Sequence, residues 1–139
     1  MKIKHIVSIL LVLILALFMF GCSENKVSRD EAKEQASKLV NAVSSGSFDE
    51  AEKLLHPNRQ IDIEALFARK ETEYNVDFQS GIEIVRYTGF SSALYDSEVD
   101  GSEYELEMNV SVSGRTLELT VEVVRNEQGF GIYEIDIDD

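Results

Sequence analysis

The chain is poor in the side chains on which much enzyme chemistry depends. Its 139 residues include one Cys, one Pro, two His and no Trp. A single Cys excludes an internal disulfide and a Cys-rich zinc site. The sequence also lacks a Gly-rich phosphate loop, a His-Glu zinc pair and an activated-Ser motif. These absences favour a non-catalytic protein that carries no cofactor.

Positive charge is scarce as well. The 13 Lys and Arg stand against 26 Asp and Glu, so the formal net charge is −13, and it becomes −15 without Lys2 and Lys4 near the start. A nucleic-acid-binding protein must present cations to displace phosphate counterions, and a polybasic patch is needed to hold an anionic membrane surface. The charge therefore excludes nucleic acid as a partner and favours basic partners.

The most specific motif occupies the first 22 residues. A short basic start is followed by an apolar run from Ile6 to Phe20, in which only Ser8 is polar, and then by Gly21-Cys22. This order is typical of an export signal, and the apolar run is shorter than the roughly 20 residues of a membrane-spanning helix.

The segment Ala16–Cys22 resembles the lipobox of bacterial lipoproteins, with Met19 where Leu is commonest. The resemblance implies cleavage before Cys22, acylation of that residue, and anchoring of the chain at the extracytoplasmic face of the cell membrane by its fatty-acyl chains. An ordinary signal peptide or an uncleaved anchor is the alternative. We therefore divide the chain into a signal peptide (1–21), a lipidated Cys with a tether (22–27) and a folded domain (28–139).

Helical periodicity predicts three helices in the first half of that domain. A capping-box pattern at Ser28–Glu31 precedes apolar residues at helical spacing, and Gly46 is expected to end this first helix. A second capping box at Ser47–Glu50 predicts a short helix that ends before Pro57. The third helix is predicted from Asp62 to about Glu73.

From Gly81 onward the apolar period becomes two, which predicts four strands. Gly89 interrupts the first strand and indicates a bulge, and Ser113-Gly114 has the form of a two-residue hairpin turn. Helices that precede an antiparallel meander predict an α+β fold, in which the N-terminal helices pack on a curved antiparallel sheet of about four strands.

Two stretches of the domain carry a family resemblance. Ser44–Pro57 and Gly129–Ile135 are similar to segments of the nuclear-transport-factor-2-like (cystatin-like) superfamily, and of small lipoproteins on that fold, with Phe130 where Trp is commonest. The resemblance implies a cone-shaped sheet around a helix, with a pocket at its open end. Members include enzymes, small-ligand binders and proteins that pair with proteins, and many dimerise through the sheet. The resemblance therefore makes a homodimer a possible partner state, but the fold alone decides neither function nor oligomeric state.

An acidic stretch approaches the calcium-loop pattern. Asp96, Glu98, Asp100 and Glu107 fall at positions one, three, five and twelve of that pattern, with Gly101 at six, although the third position is normally Asp or Asn. The longer Glu98 side chain and the place of Glu107 on the outward face of a strand favour an acidic turn instead. A cation site is the alternative.

Alternation along the last strand places Glu134 and Asp136 on the same face as Ile132, and Ile135 on the other. Either a bulge lies near Gly131, or the two acids face the concave side of the sheet. A carboxylate in an apolar pocket has a raised pKa and can act as a base, as in isomerases that pair a carboxylate with a phenol.

Tyr87 is a candidate for that phenol, and solvated charge is the alternative interpretation of Glu134 and Asp136. His56, next to Pro57, is expected to stabilise a helix end. The sequence thus predicts a membrane-anchored extracytoplasmic lipoprotein whose non-catalytic domain binds a protein partner or a small apolar ligand at a conical pocket or a sheet face. The alternatives are a small isomerase-like or hydrolase-like enzyme and a cation-binding module.

Overall fold

The computed structural model describes residues 26–139, except for the side chain of Tyr95. The signal-peptide and lipidation predictions, including Cys22, therefore lie outside the described residues. Within residues 26–139, no helix has the length and apolar character that crossing a membrane would require.

Helix α1 (Arg29–Ser44) begins and ends as the sequence predicts. The Ser28 hydroxyl accepts from the Glu31 N–H, and the Glu31 carboxylate accepts from the Ser28 N–H, which completes the capping box. At the other end Gly46 has a φ of 69°, and the N–H of Ser47 donates to the carbonyl of Ala42 at 2.8 Å, a Schellman ending. The residues of α1 that are at most 4% exposed form one apolar side: Ala32, Ala36, Leu39, Val40 and Val43.

Two shorter helices follow, α2 (Phe48–Glu52) and α3 (Ile63–Tyr74). The predicted capping box at the start of α2 is wrong, because the Ser47 side chain makes no bond to the helix. The Ser47 hydroxyl accepts instead from the Ser45 hydroxyl, beside the closing turn of α1. Asp62 caps α3 by accepting from the N–H of Ala65.

The second half of the chain forms β1 (Glu83–Asp96), β2 (Gly101–Val112), β3 (Arg115–Asn126) and β4 (Gly129–Asp138). Each strand pairs antiparallel with the next, in the order β1-β2-β3-β4. Ser113 and Gly114 have positive φ angles of 51° and 78°, which is the type I′ turn that matches strand twist. The predicted α+β fold, with N-terminal helices packed on a curved four-stranded antiparallel sheet, is confirmed.

The inner face of the sheet and α1 form the core. Every second residue of β2 from Tyr104 to Val112 is buried, and the alternate residues of β3 continue the same layer. Leu106, Met108 and Val121 are 0% exposed against the apolar side of α1. The apolar side of α1 thus fills the concave side of the sheet.

The two edge strands of the sheet differ in their backbone hydrogen bonds to the rest of the chain. Along β4, the N–H of Ile132 donates to the carbonyl of Leu54 and the N–H of His56 donates to the carbonyl of Ile132, both at 2.8 Å. This approach requires glycine at position 131, because a Cβ there would collide with the backbone of Leu54 and His56. Along β1, no backbone hydrogen bond between described residues reaches the outer edge.

Candidate functional site: the acidic sheet face

The outer face of the sheet, opposite α1, carries eight carboxylates on strands β2, β3 and β4. Successive side chains of a strand point to opposite faces of the sheet. Each apolar residue that points into the core therefore leaves its neighbours pointing outward. We call this surface the acidic face. It consists of Glu103, Glu105, Glu107, Glu118, Glu122, Glu134, Asp136 and Asp138.

Strand register brings three of these carboxylates into a row. The two-residue turn fixes the β2–β3 register, so that Glu105 lies opposite Glu122, and β4 places Glu134 opposite Glu122 on the other side. Directly opposite residues in an antiparallel pair have Cβ atoms about 4.5–5.5 Å apart, and like charges in that position are destabilising. Glu122 therefore has a like charge on each neighbouring strand.

A bulge in β4 completes the row. Val123 pairs with Ile132 but Glu122 pairs with Glu134, so Tyr133 is the extra residue. Of the two alternatives predicted from the sequence, the structure contains the bulge, which lies two residues after Gly131. The grouping of Ile132 with Glu134 by simple alternation is wrong, because the bulge turns Ile132 inward and leaves Glu134 exposed on the outer face.

Crowding and partial burial change the protonation of the central carboxylate. Burial, together with the charges of Glu103, Glu134 and Glu105, raises the pKa of Glu122 to about 7, and the charge of Arg59 opposes the rise. Glu122 lies in a depression of about 280 Å³, lined by five carboxylates and a threonine.

Glu103 shows the same effect at the β2 end of the acidic face. Burial raises the pKa of its carboxyl, and the nearby charges of Asp96, Glu105 and Glu98 add to the rise. Two of the eight carboxylates therefore hold their protons more tightly than isolated glutamates do.

In the part of the chain that the structure describes, no ion pair neutralises this surface. Five ion pairs form between side chains of residues 26–139, and none of them includes a member of the acidic face. Arg59 is committed elsewhere, since its Nε donates to the carbonyl of Tyr133 at 2.8 Å and its guanidinium lies 4.8 Å from the Tyr133 ring centroid. The acidic face thus keeps most of its negative charge.

The structure does not assemble the calcium-loop pattern. Asp96 accepts from the N–H of Glu98 at 2.7 Å, and Asp100 has a left-handed φ of 53°, so both residues form the tight turn between β1 and β2. Glu107 lies six residues along β2 from Gly101, which is about 20 Å at the usual strand rise. In the part of the chain that the structure describes, no three His, Cys, Asp or Glu side chains are grouped to hold a metal ion.

The residues of the predicted carboxylate–phenol pair also lie apart. Tyr87 lies on the inner side of β1, opposite Met108, with the Lys33 Nζ 4.5 Å from its ring centroid. Glu134 and Asp136 are exposed on the other face of the sheet, at the other edge strand. The two parts of the pair are therefore separated by the whole sheet.

His56 has a local structural role. It is 1% exposed, its Nδ1 accepts from the N–H of Asn58, and its Nε2 lies 2.9 Å from Oδ1 of Asn126. Because Nδ1 is the acceptor, Nε2 carries the proton and donates to Asn126. His56 thus joins the segment after α2 to the β3–β4 turn.

Glu105 and Glu122 are not among the site residues predicted from the sequence, although a signal for them exists there. The predicted turn at Ser113-Gly114 fixes which residues of the two strands lie opposite each other, and it places Glu105 against Glu122. Comparison of the chain with protein families, with curated proteins and with solved structures finds no match. The chemistry of the acidic face therefore has to be inferred from its own side chains.

Proposed function

We propose that this chain is a membrane-anchored extracytoplasmic lipoprotein whose domain is a non-catalytic interaction module, and that it binds a cationic partner protein across the acidic face. The observation that supports this most is the row of Glu105, Glu122 and Glu134 on three neighbouring strands, with no ion-pair partner among residues 26–139. Crowded like charges cost folding free energy. Lysine or arginine side chains of a partner would recover that free energy on binding.

A surface contact accounts for the architecture better than an internal pocket. The apolar side of α1 is packed into the concave side of the sheet, where Leu39 and Met108 are both 0% exposed. Depressions of about 280 to 500 Å³ among the described residues lie elsewhere, at the acidic face, at the β1–β2 turn and beside Arg59. These observations support the sheet face, rather than the conical pocket, as the binding surface.

The enzyme alternative has one observation in its favour. A carboxyl that titrates near neutrality, like that of Glu122, suits general acid–base catalysis. However, crowded charge clusters without a catalytic role perturb pKa values in the same way. The depression around Glu122 is lined by other carboxylates and Thr120 and includes no phenol of the kind that the carboxylate–phenol pair requires, and His56 is buried at a different place.

The anchor and the domain fit together physically. The described fold begins close to Cys22 in the sequence, where the N–H of Val27 donates to the Ser102 hydroxyl at 3.0 Å. A short tether would hold a strongly acidic domain beside an anionic lipid surface that repels it, and would leave the acidic face available to proteins. Membership of the cystatin-like superfamily is part of this proposal, and the order of helices followed by a meander supports it.

Binding of a labelled oligolysine peptide to the full chain in a neutral detergent tests the proposed surface. The triple variant Glu105→Gln, Glu122→Gln and Glu134→Gln should bind at least about tenfold more weakly at low salt. A matched control removes the same charge from exposed acids outside the face: Glu52→Gln, Glu64→Gln and Glu127→Gln. Equal loss of affinity in both triples would mean that net charge, and not the acidic face, attracts the cation.

Mass spectrometry of the protein isolated from membranes tests the anchor. The proposal predicts a chain that begins at Cys22 and carries fatty-acyl chains, and it predicts that Cys22→Ser abolishes both cleavage and acylation. Recovery of an intact, unlipidated N-terminus on the parent chain would overturn the localisation.

A further inference from the structure

Strand β1 differs from the rest of the described surface in its exposed apolar side chains. The large hydrophobic residues that are exposed among residues 26–139 all lie on this strand: Val85 (55%), Phe90 (41%) and Leu94 (52%). The outer edge of the same strand has no backbone hydrogen-bond partner among the described residues. An open strand edge with apolar side chains is a ready surface for the addition of another strand.

The regular part of β1 is symmetric about Ser91. The β1–β2 register is shifted between Tyr87 and Gly89 and again after Ala93, so that Gly89–Ala93 is an uninterrupted segment with Ser91 at its centre. A two-fold axis through Ser91 would map this segment onto itself in an antiparallel partner. The flanking irregularities of one copy would then meet those of the other.

The side chains in this segment suit such a pairing. In a register centred on Ser91, Phe90 faces Ser92 of the second copy, and Gly89 faces Ala93, so each larger residue meets a small one. Gly89 has no room for a Cβ, because Glu107 on β2 occupies that space. The Glu107 side chain thus covers Gly89 on the outer face, while Ser91 and Ser92 at the centre of the segment are exposed.

Charges at the ends of the segment are self-complementary. In the same register Arg86 lies opposite Asp96 of the second copy, and the symmetry repeats this pair at the other end. Arg86 pairs with Asn109 on the outer side of β2, and the Asp96 charge is close enough to raise the pKa of outward-facing Glu103. Both partners thus belong to the outer side. A register centred between Gly89 and Phe90 would instead oppose Glu83 and Asp96, two like charges.

The negative charge of the chain opposes association only weakly at this edge. With two β1 strands between them, the β2 strands of two copies would be about 14 Å apart at the usual strand spacing. This exceeds the screening length of about 8 Å at physiological ionic strength. Association should therefore be stronger at physiological salt than at low salt.

We propose that β1 is a homodimer interface, in which residues 86–96 of two copies pair antiparallel about a two-fold axis at Ser91 to form one continuous eight-stranded sheet. The acidic faces remain exposed in this dimer, so the proposal does not depend on the cationic partner. Anchoring both copies in one membrane would raise their effective concentration and favour the pairing.

Sedimentation equilibrium of the full chain in density-matched detergent tests the dimer. The parent chain should form dimers, and Arg86→Glu should weaken them about tenfold by placing like charges at both ends of the interface. Asp96→Arg should weaken them similarly, and the double variant with both substitutions should restore dimerisation. A chain that stays monomeric at every concentration and salt would overturn the proposal and leave the edge to a strand from another protein.

Disulfide trapping tests the register. Ser91→Cys places two thiols on the axis, where either kind of antiparallel pair brings the Cα atoms within the range of about 4.4–6.8 Å that a disulfide bridges. Ser92→Cys is the matched control, because its counterpart is Phe90 of the second copy, and the parent chain shows any cross-linking through Cys22. Rapid oxidation of Ser91→Cys alone supports the proposal. Equal cross-linking of Ser91→Cys and Ser92→Cys would contradict it. The proposal would also be contradicted if the double variant with Arg86→Glu and Asp96→Arg failed to restore dimerisation.

Discussion

The inner and outer faces of the sheet arise from one alternating pattern, yet they have opposite energetic roles. On β2, Leu106 and Met108 are 0% exposed and pack towards α1, while the intervening Glu105 and Glu107 point outward beside other carboxylates. Burial of apolar surface stabilises the fold, whereas the row of like charges opposes it. The inner face thus provides enough stability for the outer face to keep a charge arrangement that no ion pair among the described residues neutralises.

The largest difference between the faces should appear when neighbouring residues of β2 are truncated. Leu106→Ala is expected to lower the free energy of unfolding by about 2–5 kcal/mol, because it leaves a cavity in the packed core. Glu105→Gln, one position away, should change it by less than about 1 kcal/mol and in the stabilising direction. Urea denaturation of both variants provides the measurement, and similar destabilisation by the two substitutions would refute the distinction between the faces.

A smaller effect should follow the protonation of Glu122. Its pKa is about 7 in the folded chain, against an ordinary value of 4.5, so between these values the folded state binds more protons than the unfolded state. Stability is therefore highest below pH 4.5 as far as this group is concerned, and it falls as the pH rises to 7. The loss should be about 1–3 kcal/mol, with allowance for solvent screening.

Glu122→Gln removes this dependence and separates it from other titrations. The variant should match the parent chain near pH 4 and exceed it in stability by about 1–2 kcal/mol at pH 8. Glu127→Gln, in the exposed β3–β4 turn, is the control, and its stability relative to the parent chain should not change in this way between pH 4 and pH 8. The repulsion assigned to the acidic face would be absent if a rise from pH 4 to pH 8 lowered the stability of the Glu122→Gln variant relative to that of the parent chain.

The smallest effect is expected at the exposed end of the row. Glu134→Gln should stabilise the chain by no more than about 0.5 kcal/mol at pH 8, since Glu134 is exposed and its repulsion is screened. Combined with Glu122→Gln, its effect should be less than additive, because the second substitution removes a repulsion that the first has already removed. Full additivity in a double-mutant cycle would show that the two carboxylates do not interact.

Much of the fold follows from local patterns in the sequence. The helical spacing after Ser28, the period of two in β2 and β3, and the Ser113-Gly114 turn all act over a few residues, and each appears in the structure as predicted. The same turn also determines that Glu105 opposes Glu122. Half of the carboxylate row was therefore predictable in principle from the sequence.

The remaining part of the candidate site depends on contacts between distant segments. The bulge at Tyr133 lets both Ile132 and Ile135 face the core, and it lies where residues 54–56 close the β4 edge. No local pattern in the last strand encodes that closure. The raised pKa of Glu122 likewise requires its burial and three neighbouring charges, which only the folded sheet supplies.

A titration of the Glu122 carboxyl by carbon-detected NMR, in the full chain with and without oligolysine, tests most directly whether the acidic face is a crowded surface that a cationic partner relieves. We expect the carboxyl to titrate near pH 7 in the free chain, and its midpoint to move to clearly lower pH when the peptide is bound. A midpoint in the ordinary glutamate range that the peptide leaves unchanged would contradict both the crowding and the proposed binding surface.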